Sequence, residues 1–457
     1  KRQLLLDALE LGLILGKEMA WATEQYLMGL YREEMLAFLT GSAAESPLRI
    51  TSDPVFRGML RFDVLANHLF EGVLVRLRKN LAAGFVQGQA VDFELVSDLA
   101  LHFHFTGFIS GISREEAPVL EALAQRHRDQ PSLHSYLVLS LYQTPQSNDE
   151  ILVEGMRHAS HAQLIAEHQE GADLQRLARQ AEPGEDTIGD QYTSFPYPLW
   201  RAPRAFMALL HQRLQWLDGN RTPPLRRLIA GCGTGRQPLI SLTRNPTVPV
   251  RIDAIDISPA SLHYARCRLV DFTSWVTLAQ ADIAQWCKAR PREYDNIECV
   301  GVLHHTPDDR AYLQAMIHAT KPGGKITLGL YSKAGREEIL EARALSKSLD
   351  FGGDQRRLRA KIIQSDMVHK AALMSRRDFY TRSEFKDLVN NNREKNYDSA
   401  DLEALLAGLP VQIVWFKGLE ISAPAPNAEI LRRAGLLEKK DAKAYAGMFL
   451  FTLVVTG

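Results

Sequence analysis

Apolar and polar positions change rhythm near residue 185. Upstream, apolar residues recur at helical steps. Leu5, Leu6, Leu9 and Leu13 stand at i, i+3 and i+4 spacings, and longer amphipathic stretches follow at 64–82 and 118–127, broken by loops at 46–54 and 144–148. No fixed repeat is legible, so the region reads as an irregular all-helical domain. Downstream, short continuous apolar runs take over: LRRLIA (225–230), VRIDAIDIS (250–258), VTLAQAD (276–282), NIECVGV (296–302), KPGGKITLGLYS (321–332), VQIVWFKGL (411–419) and MFLFTLVVTG (448–457). Runs of this kind read as buried strands of an α/β sheet. Residues 336–400 read as a helical insertion rich in Arg and Lys, and 422–444 as a second insertion able to line a substrate. The run Glu182-Pro183-Gly184-Glu185-Asp186 is a reasonable boundary, giving domains at 1–185 and 186–457.

The first strand runs directly into Gly231-Cys232-Gly233-Thr234-Gly235 and then a helix. Three glycines in five residues let the backbone turn tightly and let a ligand come closer than a Cβ would allow, with helical N–H groups beyond. A structural turn needs glycine too, so the downstream residues decide. Asp256 ends the second run, where an acid can accept both hydroxyls of a ribose. Asp282 ends the third, and the fourth opens into Leu303-His304-His305-Thr306-Pro307. Open α/β sheets bind ligands at such carboxyl edges. A dinucleotide needs the GxGxxG spacing for its pyrophosphate; here the third glycine comes one residue early, which favours a nucleoside.

Together, GCGTG, the strand-end Asp256, Asp282-Ile283, GVLHH and KPGGKITLGLYS resemble the class I S-adenosylmethionine-dependent methyltransferases. That resemblance implies a Rossmann-like seven-stranded sheet whose last strand is reversed at an edge position. It implies S-adenosyl-L-methionine as cofactor, with Gly231, Gly233 and Gly235 under its methionine part, Asp256 on the ribose, Asp282 on the adenine amine and Ile283 against the ring. Cys232, Ile257 and Val302 complete the implied cofactor set. Many members carry an acid two positions before the first glycine, whereas this chain has Ile229. The stretch from Asp190-Gln191-Tyr192 to Phe195-Pro196-Tyr197-Pro198-Leu199-Trp200 resembles the QYxxxPYPxW segment of a bacterial methyltransferase subfamily with a helical, often tetratricopeptide-like, N-terminal region. It could fold over the mouth of the site and bring Tyr192 and Tyr197 to the cofactor, or serve as an aromatic-proline linker packed on the sheet. Relatives with that segment end the 336–400 insertion in a sequence of the form DLLFHVQEHRF, and two of its imidazoles become Asn391 and Lys395 here.

Composition adds exclusions. The chain has 457 residues, 46% hydrophobic and 24% charged, with a formal net charge of zero. It therefore carries no overall electrostatic signature of nucleic-acid or membrane binding. Asp7 and Glu10 spoil an apparent leader at the N-terminus, and no apolar run is long enough for a membrane span. Lys1 is consistent with numbering that begins inside a longer protein. Cys232, Cys267, Cys287 and Cys299 match no zinc or disulfide framework, which fits a reducing cytoplasm.

Methyl transfer is an in-line displacement that needs a base only when the acceptor arrives protonated. His304 is the expected catalytic residue, since imidazoles exchange protons near neutral pH, although either histidine of the pair could instead cap a helix or shape the pocket. An Asn-Pro-Pro-Tyr tetrapeptide is absent, against adenine-N6 DNA methylation. His158, His161 and His168 have no recognisable metal spacing and read as solvated or boundary residues; His102 and His104 read as core. Arg356, Arg357, Arg359, Lys361, Arg376 and Arg377 could meet an anionic substrate or form a solvated helix face. The expected function is methyl transfer to an O or N atom of a small molecule or of a peptide or protein side chain, with homo-oligomerisation open. The alternatives are a cofactor-binding regulatory or scaffold protein acting through its helices, and a different group transfer from the same cofactor.

Overall fold

The computed structural model describes residues 2, 3, 5, 6, 17–42, 48–180, 192, 196–202, 204–219, 222–244, 247–391 and 393–456. Leu9, Leu13, the boundary run at 182–186, Asp190, Gln191 and Phe195 lie outside them. The chain divides into two compact units, one formed by Lys1–Arg176, Leu199–Ala208 and Ala342–Asn390, the other by Leu177–Pro198, Leu209–Glu341 and Asn391–Gly457. None of the described helices is long and apolar enough to cross a membrane.

The first unit is helical, and its breaks are written in capping residues. Asp53 accepts from the Val55 N–H with Pro54 at the first helical position, so Pro54–Phe62 starts there. Asn67 does the same for His68–Val86, later than the apolar periodicity alone indicates, and Asp92 for Phe93–Phe105. Ser132 and Ser135 form a reciprocal box at Leu133–Leu139. These helices close over a core that includes Phe56, Phe70, Leu99, Phe103 and Leu137. His102 is buried as expected, but His161 and His168 are buried too, not solvated. His168 shares a 2.6 Å hydrogen bond with the Tyr136 hydroxyl, and its ring lies 4.8 Å from that of His104.

Residues 342–390 interrupt the sheet domain in sequence yet pack with the N-terminal helices. Their basic residues explain why. Arg359 grips the Glu71 carboxylate with two 2.8 Å bonds and donates to the Phe379 carbonyl, while Arg377 bridges Asp63 and Glu384. Arg359 and Arg377 are therefore neither a solvated face nor groups open to an anionic substrate; bidentate charge-assisted bonds hold them inside. The Arg382 N–H also donates to the Thr106 carbonyl at 2.9 Å.

The second unit carries a seven-stranded sheet in the order β3-β2-β1-β4-β5-β7-β6. Its strands are β1 Leu225–Ala230, β2 Val250–Asp256, β3 Val276–Gln280, β4 Tyr294–Val300, β5 Thr320–Tyr331, β6 Val411–Phe416 and β7 Met448–Val455. The first five pair in parallel, and β7 runs antiparallel between β5 and β6. The reversed strand is thus interior, and β6 takes the edge. β7 is paired along both sides, residues 448–454 with β5 and 451–455 with β6, so no row of its backbone N–H and C=O groups is left open as an edge place would leave it. Strand order reverses between β1 and β4, so the turns after these strands flank the crevice where open sheets take ligands.

Two measurements check the helical unit. Arg359→Ala leaves Glu71 facing no guanidinium and is expected to lower unfolding stability in urea by about 3 kcal/mol or more. Burial, and then the charge of Arg201, push His102 from 6.5 down to about 3. In the unfolded chain this imidazole takes up a proton near 6.5, so stability present above that pH is lost as pH falls toward 3, by ~1.4 kcal/mol per pH unit. His102→Leu is expected to flatten the pH dependence of unfolding in that window.

Candidate cofactor and acceptor site

The turn after β1 is held at backbone level. The N–H groups of Gly231 and Cys232 both donate to the Ile255 carbonyl of β2, at 2.9 and 2.8 Å. Gly231, Gly233 and Gly235 have φ of +77°, +50° and +85°, a region L side chains rarely adopt. A Cβ on Gly231 would lie 2.5 Å from a Val302 methyl, and one on Gly233 would lie 2.7 Å from the Tyr197 carbonyl oxygen. Gly235 lets the helix Pro259–Arg268 approach, its absent Cβ lying 2.9 Å from that of Ala265. Cys232 is buried, and burial raises its thiol pKa well above the ordinary value.

Asp256 closes the turn from the β2 side. One carboxylate oxygen accepts the Gly233 N–H at 2.8 Å, and the other accepts the Ser258 N–H at 2.9 Å. Burial raises its pKa while these N–H groups oppose the rise. A carboxylate offers about four lone-pair positions, so acceptor capacity remains for a ligand's hydroxyls. Ile257 beside it is exposed at the rim. Asp282 caps Ile283–Lys288 by accepting the Gln285 N–H at 2.9 Å and also accepts the Tyr312 hydroxyl, while Ile283 is buried.

Ile229 is buried in β1, in register with Glu298 of β4. Glu298 is an acid near the missing position, but its oxygens are taken by Gln237 Nε2 and Ser241 Oγ of the next helix. The glycine turn therefore receives no carboxylate from β1.

The tyrosines of the upstream segment do reach this end of the sheet. The Thr234 hydroxyl donates to the Pro198 carbonyl, which with the Tyr197 carbonyl lays residues 197–198 on the turn. Ring centroids of Tyr197 and Tyr192 are 6.5 Å apart, and Tyr192 stands edge-to-face 6.2 Å from His305. The latter distance links the glycine turn to the residues after β4. His304, 1% exposed, lies between the His305 and Tyr331 rings at 4.2 and 4.0 Å. His305 Nδ1 donates to the Arg393 carbonyl at 2.5 Å, and the Lys395 N–H donates to the His304 carbonyl at 3.0 Å. Arg336 covers Tyr331 from 3.5 Å and is paired with Glu394. Sequence reasoning missed Tyr331, Tyr312 and Arg336. Tyr331 is the last residue of β5, and its place at that carboxyl edge was the only available signal.

Residues 228–326 match the family model for the methyltransferase domain. This stretch is a methyltransferase domain. The chain is 39% identical over 128 residues to an uncharacterized protein of Synechococcus sp., a span covering 26% of this chain and 29% of that one. It is 26% identical over 147 residues to the ubiquinone biosynthesis O-methyltransferase of Thiobacillus denitrificans, covering 31% and 61%. The chain thus spans less than two thirds of either relative. Among solved structures it is similar to PKMT2 from Rickettsia typhi in complex with AdoHcy (TM-score 0.39, 14% identity, 54% of this chain and 52% of that one). It is also similar to the N-methyltransferase NodS of Bradyrhizobium japonicum in complex with S-adenosyl-l-homocysteine (TM-score 0.27, 14% identity, 63% and 99%). The methyltransferase domain so matched contains the glycine turn, Asp256, Asp282 and both histidines. Tyr192, Tyr197, Tyr331 and residues 391–397 lie outside the matched stretch.

Gly233→Ala tests the turn. Its Cβ meets backbone, not a movable side-chain tip, at a positive φ, so a loss of about 1–3 kcal/mol in denaturant unfolding is expected. Gly29, mid-helix with nothing within 4 Å of a Cβ, is the contrast. Gly29→Ala is expected to stabilise by up to ~1 kcal/mol.

Proposed function

We propose that this chain transfers a methyl group from S-adenosyl-L-methionine to an oxygen or nitrogen atom of a small molecule or of a peptide or protein side chain. The observation that carries the reading is Asp256, locked to the Gly233 N–H at the carboxyl edge of β2 with lone pairs to spare. A ribose diol needs such an acceptor, and the left-handed glycine turn beside it has the bare backbone that a nucleoside's amino acid tail would cross. In this reading Gly231, Cys232, Gly233 and Gly235 border the tail, and Asp256 with Ile257 holds the ribose. Asp282, Ile283 and Val302 flank the base, and Tyr192 and Tyr197 cover the turn.

The bound cofactor supplies a methyl group on a positively charged sulfur, already reactive toward a lone pair. What remains for the protein is to hold the acceptor in line and keep water out. The aromatic rings after β4 and β5 are suited to both. The O-methyltransferase relatives lend weight to an oxygen acceptor. Ile229, with Glu298 engaged elsewhere, leaves the cofactor's ammonium to residues other than a β1 acid.

Calorimetric titration of the full chain with S-adenosylmethionine and S-adenosylhomocysteine, with NAD as control, is expected to show binding of the first two only. Asp256→Ala should weaken that binding by about 1.5–3 kcal/mol, through loss of charge-assisted bonds to the ribose. Unchanged affinity in a folded variant removes Asp256 from the site. Transfer of tritium from methyl-labelled cofactor to components of a cell extract is expected; binding without any transfer would favour the scaffold reading.

A further inference from the structure

We propose that His305, through Nε2, takes the proton of the methyl acceptor, so that the acceptor atom enters still carrying its proton; this rests on the methyl-transfer reading above. A carbonyl oxygen only accepts, so the 2.5 Å contact with Arg393 places the proton on Nδ1 and leaves the lone pair of the neutral ring on Nε2. His305 is 5% exposed, and Nε2 has no hydrogen-bond partner among the described residues. His127 of the helical unit, by contrast, has both nitrogens engaged, with Ser135 Oγ at 2.8 Å and the Gln146 carbonyl at 2.9 Å. A buried acceptor left unmet is destabilising, and an incoming O–H or N–H recovers that cost.

The position fits the role. His305 lies in the turn after β4, at the point where strand order reverses, with Tyr192 between it and the segment on the glycine turn. Its neighbour His304 is committed to packing between rings. The orienting carbonyl is itself held, since Lys395 donates to the His304 carbonyl, Glu394 pairs with Arg336, and Lys395 Nζ reaches Asp309 at 2.6 Å. Residues 393–395 thus act as a clamp that fixes the tautomer. In the reaction the acceptor's lone pair forms the new bond to the methyl carbon. The carbon–sulfur bond breaks with its electron pair retained on sulfur, and the acceptor's proton passes to Nε2 and later to water.

His305→Asn tests this, because the Asn amide nitrogen stands about where Nδ1 does and can still donate to Arg393, while nothing replaces Nε2. The variant is expected to bind S-adenosylhomocysteine as the parent does and to lose at least about a hundredfold in tritium transfer to the extract. Independently of activity, long-range proton–nitrogen correlation on the histidine-labelled parent, saturated with S-adenosylhomocysteine at pH 8, is expected to show protonated Nδ1 and unprotonated Nε2. The signal is assigned by comparison with His305→Asn, or His305→Gln if the first does not fold. Transfer retained in a folded variant, or a proton on Nε2 in the parent, overturns the proposal. Failure of the parent itself to bind S-adenosylhomocysteine or to transfer label overturns the methyl-transfer reading, and the proposal with it.

Discussion

Close approach to bare backbone after β1 is the constraint on which the rest of the second unit depends. With side chains on Gly231 or Gly233, neither Val302 nor the Tyr197 carbonyl could occupy its place. The Asp256 carboxylate would then lose the Gly233 N–H that orients it. The turn, the acid and the two covering segments are therefore one object, assembled from the ends of three strands and an upstream stretch. Its stability comes from ordinary hydrogen bonds, each worth roughly 1 kcal/mol, and its precision comes from the lack of room for any other arrangement.

A second organising feature is the row of rings that continues from that turn through Tyr197, Tyr192, His305, His304 and Tyr331, closed by Arg336. Aromatic contacts of this kind bring little directional energy beyond burial, but they are rigid and exclude water. A methyl transfer asks little more of a protein than a dry, well-shaped approach and, for some acceptors, one proton acceptor.

Much of this was legible in the sequence, for identifiable reasons. Parallel strands covered on both faces need apolar runs, so β1 to β5 could be read from VRIDAID, NIECV and their counterparts, and the apolar runs VQIVWF and MFLFTLVV marked the two strands of the antiparallel pair. Gly233 and Asp256 belong to one local strand–turn–helix–strand unit, which sequence spacing reports well. Lateral order is another matter: nothing in MFLFTLVV says whether it borders one strand or two, and β7 proved interior. Adjacent histidines in the short turn after β4 face different surroundings, and only the backbone path decides which ring is packed and which nitrogen is left open. The basic insertion could not be read because the partners of Arg359 and Arg377 stand at Glu71 and Asp63, hundreds of positions away in the chain.

That long-range pairing has a consequence for biosynthesis. The helical unit is a composite of three stretches, the last ending at Asn390, so a growing chain can lay down its N-terminal helices but cannot finish the unit until most of the sheet domain has also been translated. Glu71 and Asp63 wait for cations that follow them by 288 and 314 positions. The two units therefore mature together, and a gene cut at the apparent boundary near residue 185 would separate acids from the arginines that neutralise them, yielding two incomplete pieces in place of two domains.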